Sequence, residues 1–552
     1  MMMRKTILLA ATALGLSACA TPERAPVAGL PVPGQPDTAN QGAPDLLVVI
    51  SVDQLSSDLM EEYLPRMSGG LARVANEGTL FINGYQAQAS TETCPGHSTI
   101  LTGSLPANTG IIANNWYERE RGEEHEEVYC AEDPDRRGEQ GDRQIISPIH
   151  LETPTLGDYL KTADPRSRNV VVSGKDRSAV MLGGHKVDQR WWWGSDGWMS
   201  DLTGPAPAVV RSATVATRSL IDEGSAGFEI PAYCRTKPVV EVENRGRVGD
   251  DPLGWASGDY SSFRATPAYD GAVLALGAAL IDEMQLGKGG ATDVLSLGLS
   301  ATDYAGHKFG PQGGEMCLQL FGLDQNLEGF FGALDARGLD YAVVLTSDHG
   351  GLAIPERLRL QGNMQAARLD KDFGSFGANV LAEQGLPGET LRGTTDLYLD
   401  PALTGAAKRR LIEGLKAAYA PHPQVQGVYS EAEIMTIPVP SGDPTRWSIL
   451  QRLRATHHPD RSGDVVIVLK EYITPIPVPS SGYISTHGSP YDYDRRVPIV
   501  FYRKGEAPLR RDDPARTVDI LPTIARHIGL SLGDANLDGV CLDGVHGVRC
   551  AE

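Results

Sequence analysis

Four short apolar runs, each rich in Val, Ile or Leu and each ending abruptly in polar side chains, constrain this chain more than any other feature. "LLVVISV" leads into Asp53, "NVVVS" into Gly174-Lys175-Asp176-Arg177, "VLSLGLSAT" into Asp303, and "YAVVLTS" into Asp348-His349. Runs of this length, bounded by Gly and Asp and without polar alternation, read as strands buried on both faces of a parallel sheet. Between them lies helical periodicity: Leu320, Leu323, Leu327, Phe330, Phe331 and Leu334 recur at three- and four-residue spacing, and Gly338 stops the pattern. Similar alternation occurs before Gly78 and after Pro154. The expectation is an α/β fold, a doubly wound, mostly parallel central sheet with helices on both faces. Ligands of such sheets bind beyond the carboxyl ends of the strands, so the four polar endings should converge.

Two regions break the rhythm. Residues 181–267 and 352–481 are richer in Gly, Pro and scattered Trp, and are expected to be insertions that cap the site without adding strands. At the start, Arg4 and Lys5 precede "TILLAATALGLSA", an apolar stretch too short to span a bilayer, so residues 1–20 read as a signal peptide. Leu16-Ser17-Ala18-Cys19 fits a lipobox with an acylated Cys19, the preferred reading, while Ala18-Cys19-Ala20 fits ordinary cleavage. Residues 21–44, rich in Pro, Gly and Ala, read as a flexible tether, and 45–552 as the folded domain. The chain is thus expected to be exported, either to the periplasm or held at the outer membrane by a lipid anchor on Cys19. Export makes the other six cysteines disulfide candidates; of 15 pairings, proximity favours Cys541 with Cys550, Cys94 with Cys130 and Cys234 with Cys317.

A net charge of -20 repels nucleic-acid backbone and anionic membrane, so neither is an expected partner. Carboxylates in such excess suit cations. Asp53, Asp303 with His307, Asp348 with His349, and His487 in "STHGSP" all stand at strand ends or in Gly-rich loops. Each alone is commonly structural; together, a mixed carboxylate and imidazole set points to zinc over calcium or magnesium. Six such ligands fill two neighbouring zinc sites about 4 Å apart, the spacing that clamps an in-line displacement. Thr93 precedes Cys94-Pro95-Gly96, and "HSTIL" after it predicts the first turn of a helix. Its hydroxyl becomes nucleophilic only with a base or a metal; the plainer reading is a helix N-cap. Cys94 as nucleophile is the weaker alternative.

The blocks "TETCPGHSTILTG", "TGIIANNWY", "TDYAGHKFGP", "SDHGG" and "THGSPYDYDRRVPIVF" resemble the alkaline phosphatase superfamily, in its threonine-nucleophile branch. The resemblance runs from Asp45 almost to the C-terminus. It implies that Asp303, His307 and His487 hold one zinc and Asp53, Asp348 and His349 the other, with Thr93 facing the second. It further implies that Lys175, Arg177 and Asn114 contact the transferring phosphoryl group. The expected activity is hydrolysis of small phosphate monoesters through a phosphothreonine. A sulfatase would need C-x-P-x-R, which Cys94-Pro95-Gly96-His97 does not supply. The alternatives are a phosphodiesterase with the same nucleophile and metals, whose cap should offer an apolar slot, and a non-catalytic surface protein. "DANLDG" at 534–539 lacks the terminal Glu of a calcium loop, since Val545 stands there. Trp191, Trp192 and Trp193 read as core. Neither spacing nor family pattern places His97, His185, His457 or His458 at the zincs. Oligomeric state is not legible.

Overall fold

The four apolar runs lie side by side in one sheet. A computed structural model of the chain describes residues 42–118, 127–137, 139, 144–545 and 549–550. The expected signal peptide, Cys19 and the tether up to residue 41 lie outside the described residues.

In chain order the sheet strands are β1 (Leu46–Val52), β2 (Thr79–Tyr85), β3 (Asn169–Ser173), β4 (Gln189–Gly194), β5 (Gly197–Met199), β6 (Asp293–Leu299), β7 (Tyr341–Thr346), β8 (Arg496–Arg503), β9 (Leu509–Arg511) and β10 (Ala515–Arg516). Their spatial order is β9-β2-β8-β7-β1-β6-β3-β4-β5, with β10 also on β2. The strands β7, β1, β6, β3 and β4 run parallel, while β8 and β5 oppose their neighbours. All seven residues of β1 are buried, as an unbroken apolar run requires.

Alternate residues of β1 feed two cores. Leu46, Val48, Ile50 and Val52 face helices α1 (Gly70–Glu77), α5 (Pro267–Met284) and α7 (Gly314–Ala336); Leu47 and Val49 face α2 (Thr93–Thr102), α3 (Leu156–Ala163), α4 (Asp176–Gly183) and α8 (Ile520–Ile528). The predicted stripe from Leu320 to Leu334 is the buried face of α7. Burying side chains of this size contributes roughly 1.5–3 kcal/mol each.

Two expectations need correction. The 181–267 stretch does add strands, because Trp191 and Trp193 enter one core and Trp192 the other, so the triplet is itself a strand buried on both faces. Its tryptophans hid a β-run. The second concerns 352–481, where Leu391–Arg392, Asp396–Leu399, Val465–Leu469 and Val425–Ser430 form, in that order, a second sheet. Leu397, Val428 and Ile467 pack there against Val380 and Leu415 from helices Ser375–Gln384 and Gly405–Tyr419. The disulfides join Cys94 to Cys130, Cys234 to Cys317 and Cys541 to Cys550, the three proximity pairs.

Candidate metal centre and active site

The polar endings of β1, β6 and β7 meet, and Lys175 beyond β3 reaches the same point. Its Nζ donates to Asp53 Oδ2 and to Asp303 Oδ2, each at 2.6 Å, and all three side chains are buried. Burial lowers the lysine pKa, but Asp303 and Asp53 more than offset it and hold the ammonium charged. Asp303 is not in a strand-end loop as expected. It stands on the first turn of α6 (Ala301–Phe309), which brings His307 onto the same face one turn later.

Donor atoms of Asp303, His307 and His487 lie within 4.8 Å of one another, as do those of Asp53, Asp348 and His349. The three imidazoles are fixed alike: Nδ1 bonds the carbonyl of Ser485 for His307 (2.8 Å), of Gly350 for His349 (2.9 Å) and of Thr91 for His487 (2.8 Å). A carbonyl only accepts, so Nδ1 carries the proton and, in the neutral ring, Nε2 presents a lone pair. Burial pushes His349 down to about 3 and His307 down to about 4, keeping both neutral. At His487 burial acts the same way, but Asp303 outweighs it and raises the pKa.

Those lone pairs point at oxygens that also only accept. His307 Nε2 is 3.2 Å from Asp303 Oδ1, and His349 Nε2 is 3.3 Å from Asp348 Oδ2 and 3.4 Å from Asp53 Oδ1. His349 Nε2 and Asp53 Oδ1 are buried without a hydrogen-bond partner. Burial, with Asp348 beside it, pushes Asp53 well above the usual carboxylate range. Acceptors converging at such distances call for a cation or a shared proton between them, and the mixed carboxylate and imidazole donors of both sets fit metal ions.

Thr93 is the first residue of α2, buried to 1% exposure; the helix begins at the Thr and not at His97 as expected. The shift matters because Cys94-Pro95-Gly96 thereby forms the first turn, directly after Thr93. Asn114 Oδ1 accepts the Cys94 amide at 2.9 Å, and Glu92 Oε2 accepts the Asn114 amide at 2.7 Å. The Cys94–Cys130 disulfide and the Cys130 amide on Asn114 O (2.9 Å) tie this loop to the helix. Arg177 opens α4 beside Asp176, whose Oδ1 accepts from Tyr129 Oη at 2.7 Å; Arg177 Nε is buried and unpartnered.

Sequence reasoning missed three neighbours of this centre. Gln54 donates its Nε2 to Asp303 Oδ1 (2.9 Å) and its amide to Asp348 Oδ1 (3.1 Å), linking the two sets from a backbone at φ 67°. His97, set aside earlier, places Nδ1 2.9 Å from Thr93 O and 3.0 Å from Asp348 Oδ2. Glu92 is the third; only its place beside Thr93 could have flagged it. His185 bonds Asp158 and His457 lies near Glu431, both away from the centre. A mainly apolar cavity of about 190 Å³, with Ile112, Leu453, Val466 and Tyr491 in its wall, reaches Glu92 and His487.

The family model for type I phosphodiesterase / nucleotide pyrophosphatase matches residues 47–488. Alkaline phosphatase PhoK of Sphingomonas sp is 46% identical over 514 residues, covering 91% of this chain and 92% of that one. Alkaline phosphatase PhoD of Zymomonas mobilis is 40% identical over 508 residues, covering 90% and 88%. The crystal structure of alkaline phosphatase PafA superposes with a TM-score of 0.81 at 24% identity, covering 92% of this chain and 100% of that one, which shows the shared fold. This chain therefore belongs to the type I phosphodiesterase / nucleotide pyrophosphatase family, in the threonine-nucleophile branch of the alkaline phosphatase superfamily.

Proposed function

We propose that the chain is an exported alkaline phosphatase that hydrolyses small phosphate monoesters, with Thr93 as nucleophile. The observation that carries this reading is the pair of Asp/His sets meeting at Lys175, in a chain 46% identical to an alkaline phosphatase. Asp303, His307 and His487 would hold one zinc and Asp53, Asp348 and His349 the other. Zinc supplies Lewis-acid charge that favours the deprotonated hydroxyl and the departing oxygen. Thr93 Oγ attacks phosphorus in line with the leaving alcohol, the P–O ester bond breaks, and a phosphothreonine forms. Water then attacks the same phosphorus, releasing phosphate and restoring the hydroxyl.

Lys175, Arg177 and Asn114 take the non-bridging oxygens. A monoester carries a second negative charge that a diester lacks, and two cations favour it. Rate should climb with pH as nucleophile and ligands lose protons. The apolar cavity beside Glu92 favours the second reading, a phosphodiesterase that seats its extra ester group there.

Rates for an aryl phosphate and the matching diester, on zinc-loaded wild type and on Lys175→Ala/Arg177→Ala, separate the two. The monoesterase reading expects a strong monoester preference that the double variant loses. A faster diester, or unchanged monoester hydrolysis in the variant, would transfer the assignment to the phosphodiesterase.

A further inference from the structure

Helix α6 carries a second row of side chains beside its metal-ligand row. Tyr304 and Lys308 each follow a ligand by one residue, so they stack one turn apart, rotated by about 100° from Asp303 and His307. The short helix Tyr260–Phe263 and Arg264 after it lie over this second row. Lys308 Nζ donates to Ser262 Oγ at 2.9 Å, and the Arg264 guanidinium lies 4.3 Å from the centroid of the Tyr304 ring. Lys175 Nζ lies 5.1 Å from the same centroid, which puts Arg264 close to the centre of the site. On the next ring, Phe309, both Arg245 (5.2 Å) and Lys308 (5.3 Å) are seated.

None of Arg245, Arg264 and Lys308 forms an ion pair with a carboxylate among the described residues. Asp259 and Asp251 lie within electrostatic reach of Lys308 without pairing with it; Asp259 Oδ1 accepts the Ser262 amide and Asp251 Oδ1 the Leu253 amide. All three cations are half-buried, where a charge acts more strongly than in open water. In a chain of net charge -20 the three outnumber the two acids that act on Lys308, and they are set against the helix that holds Asp303 and His307.

We infer that Arg264 and Lys308, with Arg245 behind them, form a subsite for a second anionic group on the leaving portion of the substrate, a carboxylate or a second phosphate. The inference rests on the monoesterase reading, in which the leaving alcohol departs on the side of Asp303, His307 and His487, the set Thr93 does not face. A leaving group passing His307 then meets the Tyr304–Lys308 row. Arg264 and Lys175 share the Tyr304 ring, which sets the subsite beside the reacting phosphoryl group, so the preferred substrates are doubly anionic organic phosphates.

The test is kcat/KM of the zinc-loaded full chain for 3-carboxyphenyl phosphate against 3-carbamoylphenyl phosphate, two esters that differ by one charge. Wild type should favour the carboxylate about tenfold at low ionic strength, with the preference shrinking as salt is added. Arg264→Gln and Lys308→Gln should each cut that ratio about fivefold. Thermal midpoints check that both variants fold, and the wild-type ratio with its salt dependence stands if one does not. A wild-type ratio near one, or a ratio unmoved in both variants, overturns the subsite. If neither monoester turns over while an aryl diester does, the monoesterase reading itself has failed and the subsite falls with it.

Discussion

At the scale of single residues, the centre depends on side chains that no motif announced. Gln54 is the only described side chain shown bonding Asp303 while its own amide bonds Asp348. Orienting partners of this kind typically govern metal affinity by 10- to 100-fold. Gln54→Ala is therefore expected to release zinc to a chelator at about tenfold lower chelator concentration, read by zinc-indicator titration. An unaltered titration would assign Gln54 to backbone geometry alone. His97 makes a different prediction, because it contacts both Thr93 O and Asp348 Oδ2. His97→Ala should lower kcat about tenfold or more while leaving KM within about twofold, since it holds the backbone of Thr93, the proposed nucleophile, and is not among the proposed phosphate contacts. The two Asp and His sets were legible in residue type, and the structure brings each of them together. The site was not legible where the role comes from a contact across 249 positions of chain, as for Gln54 and Asp303.

At the scale of elements, the junctions between helices and strand ends set the geometry. A Cβ on Gly96 would stand 2.1 Å from Asp348 O, so α2 and the end of β7 meet only because that position is glycine. Gly96→Ala should destabilise the fold by about 2 kcal/mol or more, read by urea denaturation, and reduce activity further by pushing Thr93 away from Asp348. Asp270 on α5 accepts the Ala301 amide (2.9 Å) at the start of α6 and Gln319 Nε2 (3.2 Å), and burial pushes its pKa up to about 7. An unfolded Asp titrates near 3.9. Between those values the folded chain holds a proton that the unfolded chain has released, so this group's contribution falls as pH rises toward 7 and is level above. Asp270→Asn removes that slope. Urea midpoints should move in favour of the variant, relative to wild type, between about pH 5 and about pH 8; a constant difference would refute the shift. Elements were legible where apolar runs were pure, as in β1, β3, β6 and β7. They were misread where the run was aromatic, as at Trp191 to Trp193, and where a helix began early, as at Thr93 and Ala301.

At the scale of the molecule, one sheet gathers pieces from the whole length, and the disulfides fasten its additions. Cys234 with Cys317 closes a separation of 83 residues between the 181–267 region and α7. Replacing both with Ser should cost about 2–5 kcal/mol of unfolding free energy, measured in urea under oxidising conditions. No helix among the described residues is long and apolar enough to cross a membrane. The parallel, two-sided architecture was readable from periodicity, while the strand order was not, because pairing across hundreds of residues leaves no local mark.

That strand order also sets a timetable. β1 is first in the chain but lies in the middle of the sheet, and its partners are β6 at Asp293–Leu299 and β7 at Tyr341–Thr346. The earliest of the described strands must wait for more than 240 further residues before it can pair, and for β7 before both its sides are covered. At 5–20 residues per second the wait is roughly 15–60 s. Until β6 emerges β1 is an apolar segment without a sheet neighbour, and its second side stays open until β7 follows.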